Sequence, residues 1–159
     1  MIALLLTICY PVFAPVFDYL EREHRMKSYM EYMESINKEN MVYDILKTFR
    51  QIESSNNYHA RGLSGEYGAY QFTRASWEDW CVKTIGYILD IRDPEHQDII
   101  AEQKVRCLLY YNGYTLDQIA SFWNCGSPEY KGKIGKNKNG IKYNVPGYVR
   151  KFIIQYERP

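Results

Sequence analysis

One carboxylate sits where its type and surroundings suit proton transfer. Glu53 closes the run Met41 to Glu53, in which Val42, Ile45, Leu46, Phe49 and Ile52 recur at helical spacing behind Asn40, a plausible N-cap. Glu53 follows Phe49 by four residues and Leu46 by seven, which puts it at the edge of the apolar stripe rather than on the wet face. Partial burial disfavours the charged form of a carboxyl and raises its pKa. A carboxyl that keeps its proton near neutral pH can hand it to a leaving oxygen. The same position also suits a structural carboxylate paired with Arg50 or Arg61.

The next residues shape a rim around that acid. Ser54, Ser55, Asn56 and Asn57 are turn formers, so the helix is expected to stop just after Glu53. Gly62, Gly65 and Gly68 then permit a tight loop, and Tyr58, Tyr67 and Tyr70 add flat faces with a hydroxyl handle. Carboxyl, loop and tyrosines together suit a sugar cleft and equally suit a well-packed loop. Glu66 lies on this loop, thirteen residues after Glu53. It has two readings: a second acid that activates water, or a loop carboxylate paired with Arg61 or Arg74. His59 is read as an ordinary loop histidine.

The elements that must position these groups follow in order. Thr73 begins a helix whose buried side carries Trp77, Trp80, Cys81 and Ile85, with Gly86 as its stop. Asp93-Pro94-Glu95 supplies a cap, a first-turn Pro and a first-turn acid for a helix running through Ile100, Ala101, Lys104, Val105, Leu108 and Leu109 to Asn112-Gly113. Thr115 to Gln118 is a capping box for a helix that breaks at Asn124 to Pro128. Lys131 to Lys142, rich in Lys, Asn and Gly, is expected to be an exposed loop, whose lysines would suit an anionic wall polymer. Pro146 opens a last helix with Val149, Phe152, Ile153 and Tyr156 inward. The fold class is mainly α.

Composition narrows the partners. A net charge of +1 gives no global field to recruit nucleic acid, so no nucleic-acid partner is expected. Tyrosine is abundant, with sixteen residues, and suits rigid amphipathic binding surfaces as well as core positions with a bonded hydroxyl. The four cysteines form no CxxC pair, so no structural zinc site is expected, and at most one disulfide joins two of Cys81, Cys107 and Cys125. No metal or cofactor is expected.

The chain divides into three parts. Residues 1–17 are an apolar leader, interrupted by Pro11 and Pro15 and short for a spanning helix. It reads as an export signal or an uncleaved anchor, with possible membrane contact; an internal start or a helix packed on the domain is the alternative. Residues 18–40 read as a connecting helix whose Met26, Tyr29, Met30 and Met33 form one packing face. Residues 41–159 form the main domain.

Three blocks of that domain resemble the lysozyme-like lytic transglycosylases, the soluble lytic transglycosylase type. They are Glu53-Ser54-Ser55-Asn56, Gly68-Ala69-Tyr70-Gln71-Phe72 and Ala120-Ser121-Phe122-Trp123-Asn124-Cys125-Gly126, with Tyr148 at the family's tyrosine of the final helix. The second stands at the family's Gly-Leu-Met-Gln-Ile block and the third at its Ala-Tyr-Asn-Ala-Gly block. Tyr70, Phe72 and Trp123 depart from the commoner residues. The resemblance implies a goose-type helical lysozyme fold with a sugar-binding cleft. It implies that Glu53 is the sole catalytic acid and base, that Ser54 orients it, that Gln71 and Asn124 bind sugar, and that Tyr70 and Tyr148 line the cleft, with Tyr148 near the carboxylate. The implied substrate is the peptidoglycan glycan strand, cut between N-acetylmuramic acid and N-acetylglucosamine with closure of a 1,6-anhydro ring. Hydrolysis of the same bond and a non-catalytic glycan-binding or structural module are the rival readings. A cell-envelope or virion location, within a phage particle, a secretion or conjugation apparatus, or wall turnover, fits each of them.

Overall fold

The computed structural model describes the backbone of residues 3–136, 140 and 142–158, with side chains from residue 21 onward. Among these, five α-helices and one small hairpin succeed each other: α1 (Ala3–Ser54), α2 (Arg74–Ile85), α3 (Pro94–Arg106), α4 (Leu116–Cys125), β1 (Ile134–Lys136), β2 (Lys142–Asn144) and α5 (Val145–Tyr156). The chain separates into two compact units, 1–41 and 42–159.

The first unit is helical throughout its described backbone, and α1 carries on without a break into the second. Pro11, Pro15 and Asn40 all lie inside α1, so the expected interruptions and the expected N-cap at Asn40 are not there. Nothing between Asp18 and Glu53 is a helix breaker, and a helix already running needs no new cap. No helix of the described residues is long and apolar enough to cross a membrane. The side chains of the leader, residues 1–17, lie outside the described residues. Met26, Tyr29 and Met30 are exposed rather than packed, because a single helix has no second layer of its own to bury them.

In the second unit the apolar stripe of α1 becomes core. Val42, Ile45, Leu46 and Phe49 pack with Trp77 and Cys81 of α2, Ile100, Ala101 and Val105 of α3, Ile119 and Ala120 of α4, and Val149 and Phe152 of α5. Phe49 stacks on Trp123 at 4.2 Å between centroids and meets Phe152 at 4.7 Å. Truncating so buried a Phe costs about 3–5 kcal/mol, so this contact fixes where the end of α1 lies.

The helix ends follow their sequence signals. Thr73 caps α2 through the Ser76 amide, and Gly86 ends it in the left-handed region. The Asp93 carboxylate accepts from the Glu95 amide at the start of α3, and the Thr115–Gln118 capping box opens α4. α3 then passes into a π-helical turn over Cys107–Tyr111. The expected loop after Lys131 is instead partly a hairpin, pairing Ile134 with Asn144, Gly135 with Tyr143 and Lys136 with Lys142. No residue of either strand is buried, so no alternating apolar signal announced them. Cys81, Cys107 and Cys125 are free thiols.

Candidate active site

α1 ends as its turn formers require. Ser55 and Asn56 adopt left-handed φ of 55° and 64°, and their amides bond back to Gln51 and Arg50. Lys151 of α5 donates to the Ile52 carbonyl at 2.9 Å, meeting the negative end of the helix. Glu53 is thereby held in the last turn of α1.

The loop opposite is fixed by one glutamine. Gln97 of α3 is fully buried; its Oε1 accepts from the Ala69 amide at 2.8 Å, and its Nε2 donates to the carbonyls of Tyr58 (2.9 Å) and Ile91 (2.7 Å). Gly68 presses against it, with φ +87° and only 2.2 Å between Gln97 Oε1 and the site a Cβ would occupy. Ser54 Oγ donates to the Ala69 carbonyl at 2.9 Å and so joins the end of α1 to the same loop. Ser54 thus bonds backbone, not the Glu53 carboxyl it was expected to orient.

Between α1, this loop, α2, α3 and α4 lies a groove of about 770 Å³. Glu53, Glu66, Gln71, Lys104, Trp123 and Asn124 line it. Burial pushes the Glu53 carboxyl up to about 7, against the opposing pull of the Tyr148 hydrogen bond and of the Lys151 and Lys104 charges. Tyr148 Oη donates to Glu53 Oε1 at 2.5 Å. The tyrosine is its partner, rather than Arg50 or Arg61. Arg50 bonds Tyr70 and Asp98, and Arg61 lies over the Tyr67 ring. Burial and the Glu53 charge raise the Tyr148 hydroxyl well above its usual value, so it stays a donor.

Gln71 has φ +50°, and its Nε2 donates to the Gly68 carbonyl at 2.9 Å. Asn124 is exposed on the groove wall, and its side chain bonds no described group. Glu66 takes neither expected arginine partner: Arg74 pairs with Glu78. Its Oε2 accepts from the Ser64 amide at 2.9 Å, and its charge reaches Glu53.

Tyr70 does not line the groove. It is fully buried, with its hydroxyl donating to Asp98 at 2.6 Å and accepting from Arg50 at 2.9 Å. The backbone turns at Gly68 and Gln71 send Ala69 and Tyr70, the two residues between them, inward. His59 lies outside the groove lining, beside the Tyr67 hydroxyl.

Two polar features had no signal in the sequence. One is the Asp98 hub, which gathers Arg50, Tyr58 and Tyr70. The other is Lys104, on the buried face of α3 with Gln97, Ile100, Ala101 and Val105. Among the described residues no group of three His, Cys, Asp or Glu is placed to hold a metal ion. Comparison of the chain with protein families, with curated proteins and with solved structures gave no match.

Proposed function

We propose that the chain is a peptidoglycan lytic transglycosylase with a lysozyme-like domain, in which Glu53 is the sole acid and base. The observation that carries this reading is a carboxyl with a pKa of about 7, half-buried in the wall of a groove of about 770 Å³, with a tyrosine hydroxyl fixing one of its oxygens. At neutral pH a substantial fraction of Glu53 is protonated. The proton passes to the glycosidic oxygen as the bond from muramic C1 breaks, and N-acetylglucosamine leaves with a new hydroxyl. The Glu53 carboxylate then takes the proton of the muramic C6 hydroxyl while O6 bonds to C1. The acid is regenerated, the 1,6-anhydro ring is closed and no water is consumed. Tyr148 holds the carboxyl through both steps, and Gln71 and Asn124 offer amides to the sugars.

A second reading rests on Glu66, which lines the same groove without an ion-pair partner among the described residues. With water between the two carboxylates, the same cleft would hydrolyse the bond. Mass spectrometry of sacculi digested with wild type and with Glu53→Gln separates these. Anhydro ends made only by wild type support the transglycosylase; ends carrying added water support the hydrolase. Full action by Glu53→Gln would contradict Glu53 as the acid, and no digestion by either protein would leave only a binding module. Action on wall glycan would set the protein in the cell envelope or on a virion, with membrane contact through residues 1–17.

A further inference from the structure

We propose that Lys104 binds the ligand directly, its ammonium receiving a carboxylate carried on the muramic side arm of a glycan in the groove. This rests on the reading of the groove as a site for wall glycan. Lys104 is only 4% exposed, yet it lines the groove with Glu53. Its Nζ sits 4.1 Å from the centroid of the Trp123 ring, 5.5 Å from Phe72 and 5.7 Å from Trp80. Three ring faces hold the cation in place, but they accept none of its three protons in a conventional hydrogen bond.

No group of the described chain takes those protons. Among the described residues the Lys104 ammonium makes no hydrogen bond and no ion pair, and no fully sealed side-chain nitrogen or oxygen lacks a partner. The ammonium therefore keeps an opening, and the space it borders is the groove. The acids that face it are already engaged. Glu53 and Asp79 act on it electrostatically from beyond ion-pair reach; Glu53 is held by Tyr148 and Asp79 by Lys83 at 2.7 Å. Glu66, across the groove, is bonded to the Ser64 amide. Burial pushes Lys104 down to about 8, so it is charged at neutral pH by a narrow margin, as befits a cation without a fixed acceptor.

A buried charge without a partner is unfavourable, and an apolar residue would fill the same space at less cost. The chemistry in the groove sharpens the point. Bond cleavage builds positive charge on the sugar beside Glu53, and a bare ammonium nearby opposes it. A carboxylate seated on Lys104 removes that opposition and adds charge-assisted hydrogen bonds. Muramic acid differs from N-acetylglucosamine by a lactyl arm that ends in a carboxylate, either its own or, when a peptide is attached, one on the stem.

The test is calorimetry with the full chain carrying Glu53→Gln, which prevents turnover. The ligands are a chitin tetrasaccharide and two matched pairs of muramic tetrasaccharides, one pair peptide-free and one peptide-bearing. Each pair comprises the free carboxylates and their neutral methylamides. We expect one pair to favour the carboxylate by roughly tenfold or more, and the pair that does so names the source of the charge. Adding Lys104→Met should shrink that ratio to within about twofold, while Lys104→Arg retains it. Equal binding within both pairs, or a ratio that survives Lys104→Met, overturns the inference while leaving the glycan site standing. If no saccharide binds at all, the glycan reading itself fails and takes the inference with it. Should Lys104→Met lose its native near-ultraviolet circular dichroism, Lys104→Gln replaces it.

Discussion

Two cations in this molecule, the partly buried Arg50 and the buried Lys104, are treated in opposite ways. Arg50, one turn before Glu53 on α1, is satisfied by the chain: it donates to Tyr70 Oη at 2.9 Å and Asp98 Oδ1 at 3.2 Å. Asp98 in turn accepts from Tyr58 and Tyr70 at 2.8 and 2.6 Å. Lys104 meets only aromatic faces. The first arrangement belongs to a scaffold, since every charge and hydroxyl is spent on the fold. The second holds binding capacity in reserve and belongs to a site. Glu53 falls on the same side as Lys104: it is half-dry, has one neutral partner, and carries a pKa displaced toward the working range.

The largest effect should come from the site. Glu53→Gln is expected to lower release of soluble fragments from sacculi by about 10²- to 10⁴-fold, followed by chromatography of the digest. The same change should not harm the fold. The raised carboxyl pKa means that the folded state holds the proton more tightly than the unfolded one. The stability this gives is full below about pH 4.5 and is lost as pH rises through about 7. Denaturation of the two proteins should therefore nearly coincide at pH 4 and favour Glu53→Gln above pH 7.

Next comes the scaffold. Asp98→Ala strands a partly buried guanidinium and two hydroxyls, and should cost about 1–2 kcal/mol of unfolding free energy. Lys104→Met, by contrast, should leave the urea midpoint unchanged or raise it, because it removes a buried charge that no hydrogen bond or ion pair of the fold satisfies, and the methionine keeps contact with the rings. Equal losses in the two variants would erase the distinction between the cations. Gly68→Ala is expected to cost about 2 kcal/mol, since a Cβ there meets Gln97 and the backbone has φ +87°. A thermal scan would show it.

The smallest effect tunes the acid. The Tyr148 hydrogen bond lowers the Glu53 pKa, so Tyr148→Phe should raise it and move the upper limb of the pH–rate profile to higher pH. A shift the other way would mean that the hydroxyl serves the protonated acid instead.

How much of this was legible depended on whether a signal is local. Caps and stops at Thr73, Gly86, Asp93, Thr115 and Gly126 are set by two or three neighbouring residues, and they stand where their chemistry says. The position of Glu53 at the stripe edge was legible for the same reason. What escaped depends on distant partners. Tyr70 could be assigned to the cleft because its inward turn is decided by Gln97, nearly thirty residues on. Lys104 stood in the helical register of the α3 core, but only the tertiary meeting of Phe72, Trp80 and Trp123 turns that position into a cation seat. The hairpin escaped because its pairing uses backbone and a Gly135–Tyr143 approach rather than apolar alternation.

The central claim concerns one proton, and ¹³C NMR titration of glutamate side chains in the full chain, with Glu53→Gln to assign the resonance, measures it directly. The account predicts a midpoint for Glu53 near pH 7. A midpoint near 4.5, the ordinary value for a solvated glutamic acid, would contradict it.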